Sequence, residues 1–150
     1  MGALRRLGTA ATLSAMLFAA GGLDAASPGI VKKRIAAMEA AVKSIDAALK
    51  SGSAVDRAGL ARQAQIIADQ GDRIVELFPA GSGVKGSGAS PRIWKEADAF
   101  AARADALVDA AIDFNSTAED GDRKALTETF AEIGRACAAC HQDFRLKKAK

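Results

Sequence analysis

Apolar residues recur at alternating steps of three and four along four separate segments of this chain. No other feature restricts its fold as strongly. The first segment runs Ile35, Met38, Val42, Ile45, Leu49. The second runs Leu60, Ala64, Ile67, Gly71, Ile74, Phe78 and stops at Pro79. The third runs Ile93, Ala97, Phe100, Ala104, Leu107, Ala111, Phe114, and the fourth Leu126, Phe130, Ile133, Cys137, Cys140, Phe144. Each is a stripe down one side of an α-helix, the side a helix buries against its neighbours. No segment reads convincingly as a strand. Steps of three and four suit a shallow crossing angle, so the spacing predicts an all-α chain folded as an antiparallel four-helix bundle. Alanine, the best helix former, is abundant and agrees with that reading.

The fourth stripe carries chemistry. Cys137-Ala138-Ala139-Cys140-His141 holds the only two cysteines and the only histidine of the chain. A Cys-x-x-Cys-His run is the attachment signature of a c-type haem: two thiols bond the macrocycle and the following imidazole meets the iron. Structural zinc needs four ligands, and no second Cys/His pair exists. A thioredoxin-like dithiol expects a βαβ setting, which is lacking. A disulfide across so short a loop would do little for a domain of this size. One covalent haem c is therefore the expected cofactor, carried on the last helix. Cys137 and His141, four apart, share a helix face, with Cys140 beside them. Arg145 lies one turn further on that face, either close to the imidazole edge or a haem propionate, or simply as a cation at a helix C-terminus.

The opposite end of the chain speaks of export. Met1 to Gly8 carries Arg5 and Arg6 and no acid, an apolar stretch follows from Thr9 to Leu23, and small residues precede Pro28. This order is that of a secretory signal peptide, expected to span residues 1–25 with cleavage after Ala25; the alternative is an uncleaved N-terminal anchor, for which the apolar stretch is short and weakly hydrophobic. Residues 26–150 then form one domain with one core. Thioether attachment of haem generally follows translocation in bacteria, so both ends of the chain point to the periplasm. Loss of residues 1–25 leaves 19 basic against 17 acidic side chains. That mixed surface is not a nucleic-acid footprint. The basic run from Arg145 to Lys150 either steers an acidic redox partner or is a solvated helix end.

Three connections join the helices. The first is short, around Gly52 to Val55. The last is expected to turn at Asn115-Ser116-Thr117, with Asp120-Gly121-Asp122 ahead of the fourth helix. The middle one, Ala80 to Ser90, is rich in glycine and either lines a haem edge or crosses the end of the bundle.

These residues together resemble the class II c-type cytochromes, comprising cytochromes c′ and their low-spin relatives such as cytochrome c-556. The run from Cys137 to Arg145 is similar to the family's C-terminal signature, with an aromatic and an arginine after the histidine. Arg34-Ile35-Ala36-Ala37-Met38 resembles the family's arginine followed four residues on by the distal residue. Phe78-Pro79-Ala80-Gly81-Ser82-Gly83, leading to Pro91-Arg92-Ile93-Trp94, is similar to its middle segment, although Arg92 stands where the family is often acidic. The resemblance implies a four-helix bundle with Cys137 and Cys140 as thioether anchors and His141 as the proximal iron ligand. It also implies Arg34 at a propionate, Met38 on the distal side of the iron and Arg145 on the proximal side. Family members often pair as homodimers through their first two helices. Trp94, at the start of an amphipathic helix, reads as core rather than as cofactor contact.

Met38 decides between two functions. A ligating thioether makes a six-coordinate, low-spin electron carrier serving periplasmic redox partners. A Met38 that only packs leaves an apolar open site for a diatomic gas such as nitric oxide or carbon monoxide; methionine is a common core filler. The first is the expectation. An enzyme is not expected, because a sole histidine spent on iron leaves no nucleophile–base pair.

Overall fold

The computed structural model describes residues 28–80, 82 and 88–146. The proposed signal peptide, the glycine run around Gly83 to Ser87 and the basic end from Lys147 lie outside the described residues. Four long helices carry the architecture: α1 Pro28–Lys50, α2 Arg57–Asp72, α4 Ala97–Asp120 and α5 Arg123–Phe144. A single turn, α3 Arg92–Lys95, precedes α4. Among the described residues there is no strand, only an isolated antiparallel bridge between Ala89 and Arg145.

Local chemistry sets most of the helix ends. Pro28 opens α1, where its missing N–H and fixed φ cost nothing. The helix stops before Gly52, whose φ of +70° is open to glycine at little cost. Asp56 caps α2 by accepting the Gly59 amide at 2.9 Å, and Asp122 caps α5 by accepting the Ala125 amide at 2.8 Å. Two arginines then tie helix ends across the base of the bundle. Arg57 donates to the carbonyls of Ala118 and Gly121 at the end of α4, and Arg123 donates to those of Leu49 in the last turn of α1 and Ser53 just beyond it. Cations there satisfy orphan carbonyls and complement the helix dipoles.

The stripes meet in two cores. The larger contains Ile45, Leu60, Ile67, Leu107, Phe114, Leu126 and Ile133, with alanines at the close helix crossings. The smaller contains Ile93, Phe100 and Phe144, and Phe78, Trp94 and Cys140 pack against it. Its rings form an edge-to-face chain, with centroids of Trp94–Phe78, Phe78–Phe100 and Phe100–Phe144 at 6.5, 5.6 and 5.2 Å. Trp94 is part of this packing, and its indole N–H donates to the carbonyls of Phe78 and Pro79.

Three expectations about element limits are corrected. The second helix does not reach Pro79: it ends at Asp72, and a 3₁₀ turn over Val75–Leu77 sends Phe78 into the aromatic chain. The third helix does not run unbroken from Ile93. Glu96 takes φ −126° and ψ 50°, held by the Arg92 guanidinium, which also reaches the Asp143 carbonyl. Nor does it turn at Asn115-Ser116-Thr117. The Thr117 hydroxyl donates to the Asp113 carbonyl at 2.8 Å, a bond compatible with the helix, which continues to Asp120. Within the first stripe, Ile35 is 48% exposed and Val31, one turn earlier, is buried in its stead.

The helices are not packed evenly. α2 lies closely along α4, α4 along α5 and α1 along α2, whereas α1 and α5 barely touch. The seam between the first and last helices is the loose side of the bundle.

Candidate haem site

That loose side is where Cys137 is. A groove of about 350 Å³ runs between α1 and α5, lined by Val42, Lys43 and Asp46 on α1 and by Phe130, Ile133, Gly134 and Cys137, among others, on α5. Its lining is chiefly apolar, with Lys43 and Asp46 as the charged members. Cys137 packs against the larger core and Cys140 against the smaller. The Cys-x-x-Cys segment therefore straddles both cores, with Cys137 at the seam. Both cysteines are free and partly buried.

Electrostatics separate this pair from a redox dithiol. Burial pushes the Cys137 thiol up from its ordinary value. Burial also raises Cys140, with the neighbouring Cys137 adding to the effect and Arg103 opposing it. Reactive dithiols depend on a depressed pKa, and here both shifts run the other way. Next in sequence, His141 lies at the exposed edge of α5. Shielding by its neighbours pushes its imidazole pKa down, the Arg145 guanidinium pushes the same way, and Glu39 on α1 opposes them. The net effect favours the neutral ring, the form that binds a metal. Two protonated thiols and a neutral imidazole beside an apolar groove fit a covalently held haem. Among the described residues, no group of three or more Cys, His, Asp or Glu side chains is placed to hold a bare metal ion.

The other expected residues divide. Met38 is on α1 one turn before Val42, packed against the larger core, partly buried, and next to the Glu39 whose charge reaches His141. Arg145 is close to His141, and its backbone N–H bonds the His141 carbonyl at 3.2 Å. Arg34 turns toward α2 instead: its Nη1 donates to Gln70 Oε1 at 3.2 Å, beside a polar cleft of about 470 Å³ that it shares with Asp69, Gln70, Asp72 and Arg73.

Several residues support the site in ways the sequence did not signal. Asp143, two residues past His141, accepts both Nε and Nη2 of Arg103 at 3.1 and 2.9 Å. Arg92 lies over the Phe144 ring at 5.6 Å. The middle connection closes on the same place: Ser90 N–H bonds the Phe144 carbonyl at 2.9 Å and Leu146 N–H bonds that of Gly88 at 2.7 Å. The end of α5 that carries His141 is thus fixed from α3, from α4 and from the loop. Phe78, Phe100 and Phe144 had a sequence signal in their place in the apolar stripes, and Arg92 one in the resemblance of the middle segment, which did not foretell its contacts.

An all-α bundle with Cys-x-x-Cys-His on its last helix defines a class II c-type cytochrome. The family model described as Cytochrome C′ matches residues 30–145, and the chain belongs to that family, which binds one covalent haem c. It is 32% identical to a cytochrome c′ of Rhodopseudomonas palustris over 146 residues, 93% of this chain and 97% of the relative. A cytochrome c-556 of Agrobacterium tumefaciens is 38% identical over 73 residues, 49% of this chain and 58% of that protein. The match spans about half of other relatives, 54% of the cytochrome c′ from Alcaligenes xylosoxydans xylosoxydans and 58% of that from Rhodospirillum rubrum. Among solved structures, cytochrome c′ from Rhodopseudomonas palustris superposes with a TM-score of 0.71 at 31% identity, covering 81% of this chain and 96% of that one. A nitric oxide complex of a variant cytochrome c prime from Alcaligenes xylosoxidans superposes at 0.66 with 26% identity, covering 79% and 94%.

Proposed function

We propose that this chain is an exported, periplasmic mono-haem cytochrome that carries single electrons. In this reading Cys137 and Cys140 would anchor the macrocycle, and His141 and Met38 would hold its iron. The observation that carries it is the register of α1 on the seam. Val42 lines the groove together with Cys137, and Met38 is one turn nearer the His141 end, beside Glu39. Helices α1 and α5 run antiparallel, tied at their other ends by Arg123 to Leu49, which supports Met38 and the haem motif lying toward the same end of the seam. When bound, haem supplies a one-electron iron couple, and a His/Met pair raises its potential. The chiefly apolar lining suits the faces of a macrocycle, and Asp143, Arg103 and Arg92 hold the end of α5 steady. Gln70 takes one donor of Arg34, and the other guanidinium nitrogens can serve a propionate at the polar end of α1. Exposed Ile35 gives two copies of the chain an apolar contact along α1. Signal cleavage after Ala25 and a periplasmic redox partner complete the reading.

The second reading leaves Met38 as packing and gives the open face to nitric oxide or carbon monoxide. Two observations favour it: Met38 already has a place against the larger core, and the Alcaligenes relative was solved as a nitric oxide complex. Once Cys137 is a thioether, the side chains lining the groove offer a bound gas no uncharged hydrogen-bond donor.

The deciding experiment is the absorption spectrum of the exported, loaded protein, oxidised and reduced, with and without carbon monoxide. Sharp reduced bands indifferent to carbon monoxide are expected. Met38→Leu should then open the site to carbon monoxide and lower the potential. A broad spectrum that responds to carbon monoxide in the unaltered protein would replace electron carriage with gas binding.

A further inference from the structure

Gly134 is an anomaly in the interior of α5. A glycine there weakens a helix relative to alanine, because it adds backbone entropy to the unfolded chain. Three structural reasons usually excuse one, and none applies. Its φ is not positive. It is not at a helix end, since α5 spans Arg123–Phe144. No neighbouring helix crowds it either: a Cβ built on Gly134 meets nothing within 4 Å. Gly71 of α2 shows the contrast, because a Cβ there would come within 3.0 Å of the Val108 side chain on α4. Gly71 is explained by the protein's own packing; Gly134 is not.

Its place in the stripe supplies a reason. Gly134, Cys137 and His141 follow one another at steps of three and four, so they share a face of α5. Gly134 also lines the groove with Cys137, Phe130 and Val42. We infer that Gly134 is a positioning residue for haem attachment: its bare backbone lets the edge of the macrocycle approach α5 closely enough for both thiols to reach it. The inference rests on the haem-site reading above. Attachment adds each sulfur and its proton across a vinyl double bond, forming a C–S bond at the expense of the C=C π bond, with no net oxidant required. The geometry demanded is tight, because two bonds must form three residues apart on a rigid helix. A side chain at position 134 would stand in the groove beside the first of them.

The test is a series, Gly134→Ala, Gly134→Ser and Gly134→Leu, exported alongside the unaltered chain in cells that attach haem. The readouts are the fraction of exported chain carrying haem, by intact mass and pyridine haemochrome, and the helicity of the same preparations by circular dichroism. Loading is expected to fall with side-chain size, by at least several-fold for leucine, while helicity stays at or above that of the unaltered chain. Equal loading across the series overturns the inference and leaves the haem site standing. Failure of the unaltered chain to load overturns the haem site itself. Should Gly134→Leu not fold, the alanine variant decides, since one methyl group meets no protein atom: full loading there counts against the proposal, and reduced loading supports it.

Discussion

Cys137 and Cys140 show how one residue's surroundings select its chemistry. Burial raises both thiols from an ordinary value of 9.0, so each stays protonated at neutral pH. A folded-state pKa above the unfolded one contributes stability that is fully present below the unfolded value and lost as pH rises through the folded one. Haem-free protein should therefore lose stability as pH climbs above 9.0. The double substitution Cys137→Ala/Cys140→Ala removes those two groups and should flatten that loss. Urea midpoints between neutral and alkaline pH, compared for the two haem-free proteins, measure it; Lys124, also raised through Glu128, is common to both and cancels. Parallel curves would mean the thiols are as exposed folded as unfolded. Thioether formation removes both titrations, so the loaded protein should follow the double variant. The cysteines and His141 were legible in the sequence because attachment chemistry fixes their spacing locally. The Asp143–Arg103 pair was not, because it depends on the register of α5 against α4 across forty residues of sequence.

Among the elements, the same division between local and distant causes explains which helix limits could be read. Gly52 and the Asp120-Gly121-Asp122 run act on their own neighbours, and the chain turns at both. The Glu96 break depends on Arg92, whose guanidinium is held between Glu96 and a carbonyl 51 residues away. The early end of α2 sends Phe78 to partners on α3 and α4 that no local window contains. Conversely Asn115-Ser116-Thr117 has turn-forming composition, but tertiary packing of Phe114 and Ala118 holds it helical. Caps give a direct check. Asp122→Ala removes the acceptor of the Ala125 amide at the start of the haem-bearing helix, at a cost of about 1 kcal/mol. For a chain of this size that lowers the thermal midpoint by about 4 °C. Thermal unfolding of the loaded protein followed by circular dichroism reads this. An unchanged midpoint would mean that the covalent haem, and not the cap, sets the stability of α5.

For the whole molecule, the uneven packing of the four helices has a mechanical consequence. α4 buries Phe100, Ala104, Leu107, Ala110, Ala111, Phe114 and Ala118, and lies between α2 and α5. Among its described residues α1 buries Val31, Ala41 and Ile45, and it leans chiefly on α2. Periodicity could not reveal this, because the stripe of α1 looks as apolar as the others; Ile35 reads as core and lies 48% exposed. Local opening costs least where few apolar contacts must break. In the Cys137→Ala/Cys140→Ala protein, which carries no covalent haem, α1 should open well before the rest, and its amides should exchange with solvent faster than those of α2 and α4. In the loaded protein a macrocycle held in the groove would bridge α1 to α5, and exchange from α1 should slow toward that of its neighbours. Hydrogen exchange resolved by peptide compares the two directly. Slowing confined to α1 and the groove side of α5 is the expected pattern. Equal slowing in every helix would instead mean that haem stabilises the bundle only as a whole, and that α1 is held as firmly by α2 as α4 is by its two neighbours.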